Sequence, residues 1–243
     1  MSKGIEIMGQ ASRHQGSSDL FTRPAVSTDG RVGLEMLTRE EVNKLVQRLF
    51  LFPGPDRPRA VVFSGLEHGN GCSWICARAS ESLVAQGADS VCLVDTNLRS
   101  PSLHQYFAVD NIVGLAEAVL QTGSIRNFVQ RIPGSNLWLL TCGFHTLDPH
   151  SLLSSDRLRS RILELRSEFD HVLIDAPPIG HYADATLLGQ LADGVVLVVE
   201  ANSTRRETTR RAKENLEAAS VRLLGAVLNK RTFPIPEFLY RRL

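Results

Sequence analysis

The chain has 243 residues, of which 43% are hydrophobic and 22% are charged, and these ordinary globular values exclude a wholly disordered or collagen-like chain. Its 27 basic and 26 acidic residues give a formal net charge of +1, so its overall charge does not favour binding to nucleic acid. The longest apolar runs, such as 195–199, are far shorter than the roughly 20 residues of a membrane-spanning helix. We therefore expect a cytoplasmic protein that reaches a membrane only through a partner.

The N-terminal part of the chain divides into a tail and a helix. Residues 1–32 are rich in Ser, Gly, Thr and Arg and lack the apolar run of a signal peptide, so we predict a flexible tail. The segment 37–52 is predicted to be a helix, with Thr38 as its N-cap and Glu41 completing a capping box. This helix is assigned to a single domain that spans 33–243.

Beyond this helix, short apolar runs alternate with helical patterns. The predicted strands are 60–63, 91–94, 137–140, 172–174, 195–199 and 223–228. The predicted helices are 73–86, 115–121, 155–168, 183–191 and 204–219. Continuous Val, Ile and Leu runs are typical of strands that are buried on both faces, and their alternation with helices predicts βαβ units. The sequence therefore predicts an α/β fold with a doubly wound, mostly parallel sheet.

Glycines and carboxylates follow several of these strands. Gly69 and Gly71 lie between the first predicted strand and the next helix, which is the layout of a phosphate-binding loop. Asp95 and Asp175 end two other strands, at the edge of a parallel sheet where ligands bind, and two carboxylates there suit Mg²⁺. Taken alone, the loop fits a plain strand–turn–helix connection equally well, and either Asp fits a helix N-cap.

From about Glu41 to Arg231 the chain resembles the cytoplasmic kinase domain of the bacterial tyrosine kinases that control capsule and exopolysaccharide assembly. These kinases are a branch of the MinD- and ParA-like P-loop ATPases. The matching segments are, in order, VCLVDTNLRSPSLHQYF, GLAEAVLQTG, NLWLLTCG, DPHSLLSSDRL, FDHVLIDAPPIGHYADA and LLGAVLNK. The resemblance implies a P-loop NTPase-like, three-layer αβα fold that covers nearly the whole folded region.

The same resemblance implies a role for each residue of the matching motifs. Nucleotide binding by the phosphate loop is implied for six consecutive residues, Gly69, Asn70, Gly71, Cys72, Ser73 and Trp74. Two further nucleotide contacts are implied for Arg99 and, at the adenine base, Asn229. The implied catalytic set, degenerate in this chain, is Asp95, Asn97 and Asp175. The implied Mg²⁺ ligands are Ser73, Asp95 and Asp175.

Three residues of these motifs depart from the family pattern. Cys72 stands where the family has the lysine that reaches the β- and γ-phosphates, Trp74 replaces a Thr, and Asn97 replaces an acidic residue. Because phosphoryl transfer is catalysed mainly by positioned charge, the loss of a cation and a carboxylate implies impaired catalysis. ATP, ADP and Mg²⁺ are therefore expected to bind weakly or not at all, and whether the chain is an enzyme stays open.

Two features that serve assembly and autophosphorylation in the family are also reduced. The E-x2-R-x2-R motif of the N-terminal helix is present only as Glu41, Lys44 and Gln47. The tyrosine-rich tail is reduced to Tyr240. Homo-oligomer formation and phosphorylation of Tyr240 therefore both stay open.

We expect the chain to be a tyrosine kinase-like regulator of exopolysaccharide or capsule polymerisation and export. The resemblance implies a membrane-embedded polysaccharide chain-length or export protein as its partner, at the inner face of the membrane, and no nucleic acid. Three alternatives remain at this point. They are an active ATP-dependent tyrosine autokinase of the same pathway, a MinD- or ParA-like positioning switch, and a domain that binds no nucleotide.

Overall fold

The computed structural model describes residues 5–7, 39–51, 57–144 and 148–230. Most of the predicted tail, the predicted N-cap Thr38 and the tail residue Tyr240 lie outside the described residues. None of the helices in the described ranges combines the length with the apolar character that crossing a membrane requires.

The described strands are β1 (Ile5–Ile7), β2 (Ala60–Gly65), β3 (Val91–Asp95), β4 (Gln130–Arg131), β5 (Leu137–Leu140), β6 (His171–Ala176), β7 (Gly194–Glu200) and β8 (Leu223–Asn229). They form one sheet in the order β1-β8-β7-β2-β6-β3-β5-β4. Every neighbouring pair is parallel except β4 and β5. The predicted mostly parallel sheet is confirmed, and it contains all six predicted strands. It also contains β1, which falls inside the segment predicted to be a tail and pairs with β8.

The described helices begin with α1, which occupies 39–46 and continues as a π-helical turn over Gln47–Leu51. The others are α2 (Cys72–Ala85), α3 (Leu103–Tyr106), α4 (Leu115–Leu120), α5 (Pro149–Leu153), α6 (Asp156–Glu168), α7 (Asp184–Gly189) and α8 (Arg206–Ala218). A short 3-10 turn, Ile125–Asn127, follows α4. Each of the five helices predicted beyond 57 is present, with ends that differ by a few residues.

Two buried apolar clusters lie on opposite faces of the sheet. One cluster includes Val46 of α1, Ile75 of α2 and Leu103 of α3. The other includes Leu158 of α6 and Leu216 of α8. Because helices cover both faces, the sheet is the middle of three layers, as predicted.

The strand β7 shows why the apolar runs of this sequence are continuous. Val195 and Leu197 belong to the cluster on one face, and Val196 and Val198 to the cluster on the other. Successive side chains of a strand point to opposite faces, so a strand between two helical layers requires apolar residues at every position.

The strand order decides which loops meet at the carboxyl edge of the sheet. β6 lies between β2 and β3 in the sheet. The loop that follows β2 therefore lies at the same edge as the carboxyl ends of β6 and β3. Asp95 at the end of β3 is paired in register with Asp175 of β6. The two carboxylates therefore lie side by side at the edge from which the loop after β2 emerges.

Candidate functional site

The loop 66–71, which we call the glycine loop, joins β2 to α2. Gly69 and Gly71 both have a φ of 81°, a left-handed conformation that favours glycine. The Asn70 side chain fixes the turn by accepting a hydrogen bond from the N–H of Glu67 at 2.7 Å. Gly71 precedes the first turn of α2 and provides no side-chain cap for it. The N–H groups of that first turn thus suit an anion.

Asn229, at the end of β8, supports the glycine loop from beneath. Its Nδ2 donates a hydrogen bond to the carbonyl oxygen of Asn70 at 2.8 Å, and its Oδ1 accepts one from the N–H of Lys230 at 2.9 Å. A Cβ added to Gly71 would lie 2.4 Å from that Nδ2 atom. Asn229 is buried and supports the loop, and the adenine contact that the resemblance implies for it stays a prediction.

The contact between Gly71 and Asn229 leads to a prediction with a matched control. Gly71→Ala is expected to lower the free energy of unfolding by about 2–3 kcal/mol, because a left-handed alanine is strained and its Cβ also displaces Asn229. Gly69 has the same φ, but nothing lies within 4 Å of a Cβ added there. Gly69→Ala is therefore expected to lower the free energy of unfolding only by the backbone strain, about 1 kcal/mol. Urea denaturation of both variants measures the difference, and equal losses would contradict this role for Asn229.

Asp95 is fully buried and anchors the segment that follows β3. One carboxylate oxygen accepts a hydrogen bond from the N–H of Asn97, and the other accepts bonds from the N–H groups of Ser102 and Leu103, all at 3.1 Å. Burial raises the pKa of Asp95, whereas these backbone hydrogen bonds lower it. The structure therefore gives Asp95 a capping role at the start of α3, with both oxygens engaged, and the catalytic and Mg²⁺-binding roles that the resemblance implies stay predictions.

Asp175 is equally buried but is not held in this way. Neither of its oxygens has a hydrogen-bond partner of normal geometry among the described residues. Burial, followed by the nearby charge of Asp95, raises its pKa to about 8, although the Ser73 hydroxyl and the Cys72 thiol lie close enough to lower it by hydrogen bonding. Much of this carboxyl is therefore protonated at neutral pH.

Cys72 begins α2 and faces Asp175. Burial, followed by the negative charge of Asp175, raises the pKa of the Cys72 thiol well above its ordinary value. The group is thus a neutral thiol at physiological pH. It supplies neither the positive charge of a lysine nor the negative charge of a reactive thiolate.

A cavity of about 550 Å³ opens beside the glycine loop. Its polar and aromatic lining includes Glu67, Ser73, Trp74, Asn97, Gln105 and Tyr106. Among the described residues that line it there is no Lys or Arg. Asn97 places a buried Oδ1 atom there that has no described hydrogen-bond partner. The cavity therefore combines backbone donors and uncharged side chains with one carboxylate, that of Glu67.

Arg99 lies outside this cavity. It forms an ion pair with the buried carboxylate of Asp184, and its guanidinium carbon lies 4.1 Å from the centre of the Tyr182 ring. Its contacts hold the start of α7 against the segment after β3. The nucleotide contact that the resemblance implies for Arg99 stays a prediction.

The predicted site omits two residues that line the cavity, Gln105 and Tyr106. Both belong to α3, which has only four residues and gives no helical pattern that could be recognised. The available signal is their position a few residues after Asp95, in a segment that must begin at the carboxyl edge. This signal places them near the site without showing that they face it.

The residues at this edge fit a phosphate and a Mg²⁺ ion in shape and in donor type. The uncapped first turn of α2 suits a phosphate, and the oxygens of Ser73 and Asp175 are the ligands that Mg²⁺ takes alongside phosphate oxygens. In the described ranges no group of three or more His, Cys, Asp or Glu is placed to hold a metal by itself. A bound Mg²⁺ supplies positive charge to phosphate oxygens, which the lining side chains do not.

No protein-family model matches the chain. Similarity to individual proteins is clear. The chain is 36% identical over 179 residues to the tyrosine-protein kinase YwqD of Bacillus subtilis, an alignment that covers 73% of this chain and 75% of YwqD. It is 27% identical over 192 residues to the tyrosine-protein kinase CpsD of Streptococcus agalactiae, covering 79% of this chain and 83% of CpsD.

The chain is also similar to solved structures. The chimerical protein CapA2B2 is 25% identical, with a TM-score of 0.75 over 81% of this chain and 86% of that one. The VpsO kinase domain is 26% identical, with a TM-score of 0.72 over 84% of this chain and 99% of that one. The septum site-determining protein MinD of Pyrococcus horikoshii, complexed with Mg-ADP, is 22% identical, with a TM-score of 0.59 over 76% of each chain, and this likeness concerns the fold alone.

Proposed function

The chain belongs to the family of bacterial tyrosine-protein kinases, and we propose that it acts there as a regulator with impaired catalysis. It works in the cytoplasm, at the inner face of the membrane. It regulates the polymerisation and export of exopolysaccharide or capsule by docking on a membrane-embedded chain-length or export protein. Nucleic acid is not a ligand in this proposal.

The observation that carries this proposal is the charge of the cavity. No cation is present among its described lining residues, and the position that the family gives to a lysine holds the neutral thiol of Cys72. Phosphoryl transfer requires positive charge at the transferred group, and removing one such contact commonly reduces the rate by orders of magnitude.

The carboxylates support the same conclusion. Both oxygens of Asp95 are engaged by three backbone N–H groups. Asn97, which replaces an acidic residue, cannot accept a proton at neutral pH. The carboxylate that Asn97 replaces is therefore missing as a proton acceptor.

Some sequence predictions remain part of this proposal. Weak binding of ATP or ADP is assigned to the glycine loop and the start of α2, and Mg²⁺ to Ser73 and Asp175. The division into a tail, 1–32, and a single domain, 33–243, is also kept as a proposal, except for the strand β1.

The test is phosphorylation and hydrolysis by the purified full chain. With ATP and Mg²⁺ we expect no phosphotyrosine on Tyr240 and ATP hydrolysis at the background rate, measured by phosphotyrosine immunoblot and phosphate release. In cells, deleting the gene should reduce polysaccharide length or amount, whereas Asp175→Ala should leave both unchanged because the regulator needs no turnover.

An active autokinase gives the opposite result. Phosphotyrosine that disappears in both Tyr240→Phe and Asp175→Ala would overturn the proposal in favour of the enzyme. Normal polysaccharide in the deletion strain, together with misplaced division or chromosome segregation, would favour a positioning switch instead.

A further inference from the structure

Arg78 lies on α2 one turn after Trp74 and is not among the residues that line the cavity. Its guanidinium carbon is 5.6 Å from the centre of the Trp74 ring and 5.8 Å from the centre of the Tyr106 ring. Both rings line the cavity. The guanidinium thus stacks against two aromatic side chains of the cavity lining, a contact that cations make readily with aromatic rings.

Two other cations near this edge are already committed to firm partners. Arg99 is paired with Asp184, whose side chain is only 7% exposed, and removing a partner from such a pair is costly. Lys230 is paired with Glu200 at 3.1 Å, and that carboxylate also accepts a hydrogen bond from Asn70. Neither cation is available to a ligand in the cavity without breaking contacts that hold the site together.

Arg78 is held much less firmly. Its ion-pair partner is Glu81 at 3.0 Å, and the two side chains are 50% and 37% exposed. Exposed pairs of this kind contribute little to stability, so the guanidinium exchanges Glu81 for another anion at small cost.

We propose that Arg78 supplies the positive charge of this cavity by binding the outer phosphates of a nucleoside triphosphate. The inner phosphate groups lie against the N–H groups at the start of α2, and the guanidinium moves from Glu81 to the terminal phosphate oxygens. Arg78 is therefore a binding residue that partly compensates for Cys72. The inference rests on the nucleotide site of the proposed function but not on the regulatory role itself.

The test is titration calorimetry of the full chain with ATP, ADP and AMP in the presence of Mg²⁺. Arg78→Gln is expected to weaken ATP binding about tenfold or more, because a charge-assisted hydrogen bond is lost, and to leave AMP binding unchanged. Arg78→Lys should retain part of the affinity. Glu81→Gln should tighten ATP binding, because it releases the guanidinium.

The matched control is Arg159→Gln, which removes the same charge from an exposed position of α6 and should change nothing. Equal ATP affinities of Arg78→Gln and the unchanged chain, or no ATP binding by the unchanged chain, would overturn the inference. If Arg78→Gln fails to fold, the ATP affinity of Glu81→Gln tests the inference instead. An ATP affinity of Glu81→Gln equal to that of the unchanged chain would overturn the inference. The regulatory proposal is judged separately, by phosphotyrosine and polysaccharide.

Discussion

Cys72→Lys is expected to strengthen ATP binding about ten- to a hundredfold. The position begins α2 directly after the glycine loop, so an ammonium group there reaches phosphates that lie on the first turn of the helix. One contact between an ammonium and a phosphate in a partly desolvated site contributes roughly 1.5–3 kcal/mol. The new cation also faces Asp175, whose pKa it lowers toward the ordinary range.

Hydrolysis should recover less than binding in this variant, because Asn97 still provides no carboxylate. Cys72→Lys combined with Asn97→Asp is therefore expected to hydrolyse ATP faster than either single variant. Trp74 lines the cavity and could occupy the space that phosphates need, so Trp74→Thr is the third change to add.

The measurements are titration calorimetry for binding and phosphate release for hydrolysis. Cys76→Lys is not a suitable control, because Cys76 is fully buried in the core. Cys72→Gln is used instead, since its side chain is long and polar, one atom shorter than that of lysine, and carries no charge. If the triple variant binds ATP no better than the unchanged chain, the glycine loop is a plain strand-to-helix connection and not a phosphate site.

Asp175→Asn is expected to stabilise the folded chain at pH 8. Burial and Asp95 raise the pKa of Asp175 from 3.8 to about 8, so between these pH values the folded chain holds a proton that the unfolded chain has released. The free energy of unfolding therefore falls as the pH rises through this window. Since one pKa unit corresponds to about 1.4 kcal/mol, the neutral amide should gain on the order of 5 kcal/mol at pH 8 and under about 2 kcal/mol at pH 5.

Urea denaturation at pH 5, 6.5 and 8, with EDTA and without nucleotide, measures this effect. Asp193→Asn is the control with the opposite sign. Although burial disfavours its charge, hydrogen bonds from the N–H groups of Ala60 and Arg59 and from Arg166 lower the pKa of Asp193, so its loss should destabilise the chain at pH 8. A stability difference between Asp175→Asn and the unchanged chain that is independent of pH would show that Asp175 is ionised in the folded state.

The sequence predicts the central strands well because each of them is buried on both faces and is therefore a continuous apolar run. β7 is apolar at almost every position, and burial on both faces leaves few other structures for such a run. β1 is different, because three residues in a polar segment form a strand only through pairing with β8. The prediction of a tail therefore could not foresee it.

In the candidate site, too, the sequence predicts the positions of some residues and not the contacts of others. The positions of Asp95 and Asp175 follow from strand order, since both residues end neighbouring parallel strands. The hydrogen-bond partners of Arg99 and Asn229 do not follow from strand order, because each residue pairs with one far away in the chain. In the folded chain the hydrogen bonds of both residues hold its own loops, and the nucleotide contacts that the resemblance implies for them stay predictions.

The hydrogen bond from Asn229 to Asn70 joins residues that are 159 positions apart. The glycine loop is among the first parts of the sheet to leave the ribosome, yet its support from β8 arrives after nearly all the rest. Contacts of such large sequence separation carry a loop-closure cost and slow folding. A nascent chain thus places both carboxylates on its strands before the loop beside them is fixed, and a chain that stops before residue 229 keeps the carboxylates but lacks the support of the loop.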